Sequence, residues 1–307
     1  MPRLCLSLLL SLLFASSASA VTMDWAYVGN PGNACNNTPP NGCRGAVGYA
    51  YWIGTYEVTN AQYAEFLNAK AASDPFALYN TSMGSSSAGG ITRSGGAGSF
   101  TYAAIAGSEN MPVNFVGIFD AARFANWMNN GQGNGSTETG AYSSVASLAR
   151  SANATIVLPT INEWYKAAFY DAASASYFAY PTASNIETVC SAPGATPNTA
   201  NCGNAVGGPT VVGSYTGSAS PYGTFDQGGN VWEWMDVPSP YPRHFSGGAY
   251  DYPASYFAAG TTQLYFDSGS IEDPRFGFRL AMIPEPGTGL LVIAGLLGLG
   301  MRRRISA

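Results

Sequence analysis

The sequence predicts a loop-rich α+β fold of short helices and short strands, and three observations lead to this prediction. First, the apolar residues recur with helical spacing over residues 60–72, 118–129 and 161–170. Second, short runs rich in β-branched and aromatic residues, such as 49–59 and 276–281, are typical of strands. Third, long segments rich in glycine, asparagine and serine separate these stretches, and no fixed-period repeat appears. The core must therefore be built from short elements.

The first half of the chain contains the clearest helix start. An early strand is expected at residues 23–28 and a second one within 49–59. Thr59 and Gln62 then form the pattern of a capping box, in which each side chain bonds the backbone of the other residue. Apolar residues follow at Tyr63, Phe66 and Leu67, which predicts a helix to about residue 72. Residues 73–110 show no period and predict a surface loop with one short hairpin.

Similar signals for short strands and helices continue along the rest of the chain. A helix is expected over 118–129, and a short strand at 156–160 leads into a second capping box at Thr160 and Glu163. The third helix should cover about 161–170. Beyond it we expect a strand at 209–215, a turn at 245–251 and a final strand at 276–281.

Both ends of the chain have the composition of targeting signals. Residues 1–20 combine Arg3, an apolar run from Leu4 to Ala15 and the small residues Ala18-Ser-Ala20, which predicts a signal peptide with Val21 as the first mature residue. An N-terminal membrane anchor is the alternative. We expect a loop region at 21–44, the domain at 45–283 and a separate segment at 284–307.

The segment 284–307 reads Pro284-Glu-Pro286, an apolar run over 288–301 and then Arg302 to Arg304. As a helix this run would reach about 21 Å, short of the ~30 Å hydrocarbon core of a bilayer. The segment resembles the PEP-CTERM sorting signal of exported bacterial proteins. That resemblance implies processing by an exosortase, after a signal peptidase has acted at the other end. The alternative is a short C-terminal membrane tail, the protein's only expected membrane contact. Either way we expect export to the cell surface, outer membrane or extracellular matrix.

Charge and cysteine content limit the functions that this protein could have. Residues 21–283 carry nine basic and 17 acidic residues, a net charge of −8, so a nucleic-acid-binding function is not expected. Four cysteines remain after residue 20, and an even number in an exported chain favours disulfides. The short intervals favour the local pairs Cys35 with Cys43 and Cys190 with Cys202. A metal site is the competing interpretation, although the spacing is not Cys-x-x-Cys.

The densest stretch of the chain is residues 222–234. It combines turn glycines with four aromatic residues and with the acceptor side chains Asp226, Asn230 and Glu233. Aromatic residues need a core, whereas buried carboxylates must be hydrogen-bonded or bound to metal. This stretch is therefore expected to organise the domain.

Five blocks in order resemble the formylglycine-generating enzyme family, also called the sulfatase-modifying factor domain. The blocks are Ile53–Tyr63, Met111–Asn114 with Asp120–Trp127, Leu158–Trp164, Gly228–Trp234 and Gly277–Leu280. Together they cover about residues 45–281. The resemblance implies a C-type-lectin-type fold with short helices around a twisted antiparallel sheet core.

The resemblance also implies structural calcium. Carried over by position, its ligands are the side chains of Asp226 and Glu233 and the carbonyls of Gly229 and Val231. Calcium takes six to eight oxygens, so these four do not complete the shell. The alternative is that the two carboxylates bind turn amides and an arginine such as Arg279, with no ion. A second family site involves Asn201 and the Cys202 carbonyl.

Copper is not expected, because the family's oxidase needs two neighbouring cysteines late in the domain. The corresponding interval, residues 248–276, contains none, and residues 254–259 stand nearest in position. The family's iron-dependent branch needs three histidines, whereas this chain has only His244. In addition, Ser246 and Ala249 stand where the family usually has arginine and serine.

Two functional hypotheses follow. The first, which the missing cysteines favour, is a non-enzymatic surface or matrix module that binds a polysaccharide or protein. Its expected contacts are the tyrosines Tyr250, Tyr252 and Tyr256, since aromatic rings suit stacking. The second is an active oxidase that modifies protein cysteines through a rearranged site.

Overall fold

The computed structural model describes residues 20–37, 42–238, 243–260 and 271–284, together with the backbone of 263–265. Nearly all of the predicted signal peptide and of the C-terminal segment lies outside these residues. Within them, no helix combines the length and the apolar character needed to cross a membrane.

The described residues contain four α-helices and one 3-10 helix, and the three predicted helices are confirmed. The helices are α1 (Asn60–Lys70), α2 (Ser82–Ser85), α3 (Ile118–Asn129), α4 (Ile161–Phe169) and the 3-10 helix Ala254–Phe257. Both predicted capping boxes are present. At α1, the Gln62 backbone N–H donates to the Thr59 hydroxyl (3.3 Å), and the Thr59 N–H donates to the Gln62 side chain (2.9 Å). Thr160 and Glu163 make the same exchange at α4.

Sixteen short strands are described. They are β1 (Trp25–Val28), β2 (Asn36–Asn37), β3 (Cys43–Arg44), β4 (Tyr51–Gly54), β5 (Ile91–Ser94), β6 (Thr101–Ala104), β7 (Ile156–Val157), β8 (Tyr170–Asp171), β9 (Ser176–Tyr177), β10 (Val189–Cys190), β11 (Thr199–Ala200), β12 (Trp232–Met235), β13 (Arg243–Ser246), β14 (Gln263–Tyr265), β15 (Phe276–Gly277) and β16 (Ala281–Met282). Strand β1 confirms the predicted early strand, and β5 with β6 forms the predicted hairpin.

Two four-stranded sheets make the framework. The first has the order β1-β4-β16-β7 and is antiparallel throughout. The second has the order β14-β13-β12-β15, in which only the β12–β15 pair is parallel. The remaining strands form two-stranded ladders. This is the α+β architecture of short helices and small, mainly antiparallel sheets that the sequence predicts.

Two strand predictions are wrong, and the hydrogen bonds show why. Residues 209–215 form no strand and contain only a turn at 212–213, and two of their N–H groups bind distant side chains: Thr210 donates to Asn230 (2.9 Å) and Gly213 to Asp226 (2.6 Å). The predicted strand at 276–281 is split into β15 and β16, which belong to different sheets. The segment between them carries Arg279 into the interior.

The main core lies between α1, α3 and the second sheet. Phe66 of α1 and Phe124 of α3 contact each other edge to face, with ring centroids 5.3 Å apart, and Phe278 packs on Phe124 at 5.4 Å. All three side chains are fully buried. Because Phe278 lies between β15 and β16, this aromatic cluster joins the helices to the connection between the two sheets.

Candidate functional site: a buried carboxylate cluster and an aromatic pocket

The loop at 226–230 bends sharply before strand β12 begins. Asp226, Gly229 and Asn230 all have positive φ values, of 60°, 87° and 59°. At Gly229 a Cβ atom would lie 2.2 Å from the backbone oxygen of Asn201, so only glycine allows this close approach. The bend delivers Trp232 and Trp234 to the core, where the indole N–H of Trp234 donates to the Val116 carbonyl (2.9 Å).

Glu233 is held by a fully buried ion pair. The Arg279 guanidinium donates to both of its oxygens, through Nε at 2.5 Å and Nη2 at 2.6 Å, and the Trp164 indole N–H adds a third bond at 2.7 Å. Arg279 also donates to the carbonyls of Gly54 and Phe225. The predicted alternative partner of Glu233 is therefore present, and by lone-pair count Glu233 keeps one unused acceptor position, on Oε1.

Two further carboxyl groups lie close to this pair. Burial raises the pKa of Asp226 to about 6, and the N–H of Gly213 partly offsets that effect. Burial raises the pKa of Glu57 well above its usual range, and the neighbouring Asp226 raises it further. A single buried arginine, Arg279, thus faces three acidic side chains. With all three ionised, the cluster would carry an excess of negative charge, which burial opposes by raising the pKa of Glu57 and of Asp226 and which a cation would neutralise.

Two buried side-chain oxygens near the loop have no hydrogen-bond partner within the described residues. They are Oε2 of Glu57 and Oδ1 of Asn201. Asn230 links the two residues, because its side-chain amide donates to Glu57 (3.1 Å) and accepts from Asn201 (3.1 Å). Buried oxygens without a partner are costly, so an ion or a water at this place would remove a real penalty.

The donor set fits a calcium ion, which prefers carboxylate, amide and carbonyl oxygens. Of the predicted ligands, Asp226, Gly229 and Val231 lie on the bent loop and at its end, and Asn201 and Cys202 lie beside it. Glu57 is a candidate donor that the sequence did not indicate. In the described part of the chain, no three His, Cys, Asp or Glu side chains form a metal-binding group by themselves. Amide and carbonyl oxygens would have to complete the shell.

The cysteines form the two predicted disulfides. Cys35 pairs with Cys43, which lies in β3, and Cys190 of β10 pairs with Cys202. The second disulfide packs in a small core with Ala254 and Phe257 of the 3-10 helix. It therefore supports the segment that stands nearest, in sequence position, to the family's catalytic cysteines.

An aromatic pocket of about 450 Å³ lies on the second sheet. It is lined by Trp232, Phe245, Tyr252, Tyr256, Ile271, Asp273, Arg275 and Phe276. Trp232 forms the buried base, and the half-buried rings of Tyr252 and Tyr256 meet it edge-on, with interplanar angles of 74° and 75°. The two tyrosine rings lie 4.9 Å apart at 63° to each other. Two of the three predicted tyrosines thus come together in one concave site.

A charged pair forms the polar side of this pocket. Arg275 binds Asp273 through two bonds, Nε to Oδ1 at 2.5 Å and Nη2 to Oδ2 at 2.7 Å. Although burial opposes ionisation, these bonds hold the pKa of Asp273 below its usual range. The Arg275 guanidinium also lies 5.8 Å from the centre of the Tyr252 ring. The pocket therefore combines ring surfaces with one donor group and one acceptor group.

The tyrosine segment, residues 250–256, is held by backbone hydrogen bonds to residues 203–204, which follow Cys202, and to Asn230 of the bent loop. Gly203 donates to the Tyr252 carbonyl and Asn204 to the Tyr250 carbonyl, both at 2.8 Å, while the Tyr250 N–H donates to the Asn230 carbonyl (2.9 Å). Tyr250 does not line the pocket, so the third predicted contact has a backbone role here. Backbone hydrogen bonds thus connect the disulfide loop, which we define as residues 190–204, and the bent loop to the segment that carries the pocket tyrosines.

His244 lies in β13, outside the pocket lining. Burial and the nearby Arg44 lower its pKa. Sequence reasoning missed Asp273 and Arg275, although an arginine two residues after an aspartate, just before Phe276, is a signal that could have indicated them.

Comparison with known proteins identifies the family and the fold. A family model described as the sulfatase-modifying factor enzyme 1-like domain matches residues 29–283. A search of curated proteins found no significant match. Among solved structures, the Treponema denticola variable protein 1 is 18% identical with a TM-score of 0.55, and the match covers 87% of this chain and 98% of that one.

Two other solved structures match over similar lengths. CarF is 17% identical with a TM-score of 0.52, covering 86% of this chain and 99% of its own. PvdO from Pseudomonas aeruginosa is 16% identical with a TM-score of 0.47, covering 85% and 92%. The first two similarities confirm the predicted loop-rich α+β fold of the C-type lectin type. With a family match over most of its length, this chain belongs to the sulfatase-modifying factor enzyme 1-like domain family.

Proposed function

We propose that this protein is an exported, non-catalytic binding module that holds a polysaccharide or protein ligand in its aromatic pocket at the cell surface. The observation that supports the proposal most is the state of the cysteines. All four cysteines of residues 21–283 are joined in the pairs Cys35–Cys43 and Cys190–Cys202. Copper oxidase chemistry of the family's kind needs a pair of free thiolates, and disulfide sulfurs are not thiolates.

The position of the pocket supports the same function. The interval from 248 to 276, where the family keeps its thiols, here supplies Tyr252, Tyr256 and Arg275 to a concave, partly exposed site. A pocket with apolar walls and a few convergent polar groups is the usual form of a small-ligand site. Binding without chemistry therefore needs no group that the chain lacks.

The test is copper content and oxygen consumption of the exported protein, with a cysteine-containing peptide of the sulfatase type as substrate. We expect no stoichiometric copper and no turnover. Stoichiometric copper together with turnover would support the alternative, a rearranged oxidase. In that case a Cys190→Ser/Cys202→Ser protein tells whether these two cysteines form the new site, because its turnover would disappear.

Ligand binding is tested separately by pull-down on extracellular matrix of the producing cells. We expect retention of the wild-type protein and its loss in a Tyr252→Ala/Tyr256→Ala protein. Tyr27→Ala is the matched control, since Tyr27 is an exposed tyrosine (56% exposed) outside the pocket lining. Equal retention of all three proteins would count against the pocket as the binding site.

We also propose a structural calcium ion at the bent loop, held by oxygens of Asp226 and the loop backbone with Glu57 or Asn201 nearby. The unpartnered buried oxygens and the three acidic side chains around one arginine support this proposal. Calcium would supply charge neutralisation and loop rigidity rather than chemistry. The test is calorimetric titration of chelator-stripped protein, in which the absence of any heat in millimolar calcium rules the ion out.

The ends of the chain complete the proposal. Removal of residues 1–20 by a signal peptidase would release the protein, and the segment 284–307 would be processed by an exosortase or serve as a short membrane tail. The intact mass of the exported protein distinguishes these outcomes. We expect a chain that begins at Val21, ends near residue 284 and retains two disulfides; a mass that includes residues 285–307 would indicate the membrane tail.

A further inference from the structure

We propose that the aromatic pocket binds a neutral sugar chain, one ring of which stacks on Tyr256 and Tyr252. This inference rests on the proposed binding function and specifies its ligand class. A sugar ring presents C–H groups on its faces and hydroxyl groups around its edge. A site for it therefore needs ring surfaces next to paired donors and acceptors, and both are present here.

The ring surfaces come from the two half-buried tyrosines. Their rings form an angled corner, 4.9 Å between centroids and 63° between planes, and each ring lies at 74–75° to the buried ring of Trp232. The face of an aromatic ring is electron-rich and attracts the weakly positive hydrogens of C–H groups. A corner of this kind accepts a sugar ring that places one face on one tyrosine and one edge toward the other tyrosine.

The hydroxyl partners come from the Arg275–Asp273 pair. Two of the three guanidinium nitrogens of Arg275, Nε and Nη2, donate to Asp273. The third, Nη1, makes only long contacts within the described residues, 3.5 Å to the Tyr252 hydroxyl and 3.9 Å to Asp251. Asp273 Oδ1 also accepts a bond from the Arg275 backbone N–H (3.1 Å), whereas Oδ2 accepts a single bond and keeps a lone pair for a ligand. A donor and an acceptor side by side match neighbouring sugar hydroxyls, each of which can donate and accept.

The charges of the pocket favour a neutral ligand over a charged one. Arg275 is already paired with Asp273, and Asp251 lies nearby. An anionic ligand would have to approach two carboxylates. A cationic ligand would have to compete for these carboxylates with Arg275, which already binds Asp273 and lies over the Tyr252 ring. A charged ligand would therefore gain less free energy here than at a site with an unpaired charge.

The backbone around the pocket disfavours an extended peptide. Trp232 lies on β12, an interior strand whose backbone pairs with β13 on one side and β15 on the other. The Trp232 N–H also donates to the Arg275 carbonyl (2.7 Å). A peptide strand needs a free sheet edge to form main-chain bonds, and β12 does not provide one. The edge strand β15, which carries Phe276 of the pocket, is only two residues long, and the Phe276 N–H already donates to the Asp273 carbonyl (3.1 Å). A sugar chain needs only the side chains described above.

The pocket is also formed before a ligand arrives. The carbonyls of Tyr250 and Tyr252 are held by Asn204 and Gly203, and the Tyr252 N–H donates to Ala249 (3.0 Å). Because the backbone that carries these rings is fixed in advance, binding does not have to order this segment.

The test is calorimetric titration of the exported protein with neutral hexasaccharides, namely cellohexaose, laminarihexaose and mannohexaose, and with the anionic hexamers of galacturonate and guluronate. We expect saturable binding of at least one neutral hexasaccharide. Its affinity should change by less than about twofold between roughly 50 and 500 mM salt, because no net charge is involved. Binding of the anionic hexamers alone, or of none of the five, would overturn the inference.

Variants locate the binding site. Tyr256→Ala should weaken binding of the neutral hexasaccharide about tenfold or more, since a stacking surface is lost. Tyr256→Phe keeps the ring and should bind within about twofold of wild type, and Tyr27→Ala should match wild type. Arg275→Lys should weaken binding several-fold, because a lysine cannot hold Asp273 through two bonds. Unchanged binding by Tyr256→Ala would contradict the inference.

A peptide array separates this inference from the proposed function on which it rests. Binding to peptides only, with loss in both Tyr256→Ala and Arg275→Lys, would refute the sugar and leave the binding module intact. The absence of tyrosine-dependent binding to sugars and to peptides would refute both. Circular dichroism of each variant confirms that it is folded.

Discussion

The Glu233–Arg279 pair shows how a single residue can join distant parts of this chain. Both side chains are fully buried, and the guanidinium also bonds carbonyls of β4 and of the loop before the bend. Removing one charge from such a pair leaves the other unpaired in a medium that solvates it poorly. The pair is therefore expected to matter more than any ion pair at the surface.

We expect Glu233→Gln to lower the free energy of unfolding by about 3 kcal/mol. The matched control is Glu138→Gln, which breaks the Arg123–Glu138 pair at a side chain that is 42% exposed, and which should cost less than about 1 kcal/mol. Urea unfolding of the two variants and the wild type measures both values. Equal losses would mean that burial does not set the strength of these pairs.

Asp120 predicts a specific pH dependence of stability. It bonds the Gly117 N–H at the start of α3 (2.9 Å), and burial raises its pKa to about 7, with Glu272 and Asp74 adding to the rise and Arg123 opposing it. The folded protein keeps this proton up to about pH 7, whereas the unfolded chain releases it near pH 4. Stability due to this group should therefore fall as pH rises from about 4 to 7, and then level off.

The variant Asp120→Asn keeps an acceptor for Gly117 and removes the titration. Its free energy of unfolding should decline less over this pH range than that of the wild type, by up to about 1 kcal/mol per pH unit. Asp236 and Asp226, whose pKa values burial raises to about 6, contribute the same direction in both proteins, so the difference isolates Asp120. Parallel curves would refute the assignment.

Among the elements, the disulfide loop and the tyrosine segment act together. Cys202 is followed by Gly203 and Asn204, whose N–H groups hold the backbone of the tyrosine segment. The 3-10 helix that contains Tyr256 packs on the same disulfide through Ala254 and Phe257. Loss of the disulfide should therefore loosen the pocket as well as lower stability.

We expect Cys190→Ser/Cys202→Ser to lose about 3 kcal/mol of stability and to weaken binding of the neutral hexasaccharide. The control Cys35→Ser/Cys43→Ser opens a loop of similar length away from the pocket, so it should lose comparable stability and bind normally. Urea unfolding and calorimetry give the two readouts. If both variants bind normally, the disulfide does not position the tyrosines.

Elements were predictable where their signals are local. The helices α1 and α4 begin at capping boxes whose two bonds span only three residues, so the sequence contains the whole signal. Residues 209–215 have the composition of a strand, yet the N–H groups of Thr210 and Gly213 bind the side chains of Asn230 and Asp226. A composition pattern cannot show that a distant side chain competes for a backbone donor.

At the scale of the whole molecule, the bent loop and the Arg279 segment connect the two sheets. Residue 279 lies between β15 of the second sheet and β16 of the first, and its partner Glu233 lies on β12. An ion that neutralises the neighbouring carboxylates should therefore stabilise the entire fold rather than one loop. Its effect is measured by the global unfolding transition.

We expect calcium at about one hundred times its dissociation constant to add about 2.7 kcal/mol and to raise the melting temperature by about 5–10 °C. Asp226→Asn and Glu57→Gln should each reduce this rise. Sodium chloride at matched ionic strength is the control, because screening alone also changes stability. An equal rise with sodium chloride would mean that no calcium site exists.

The sequence by itself determined what depends on neighbouring residues and on order along the chain. This includes the helix starts, the two local disulfides, the five ordered blocks of the family and the importance of residues 226–234. Tertiary structure decided which distant residues meet: Glu57 with Asp226, Arg279 with Glu233, and Arg275 with the two tyrosines over Trp232. Hydrogen bonds within a turn are fixed by a few backbone angles, whereas these contacts depend on how two sheets and their loops pack, which no local pattern encodes.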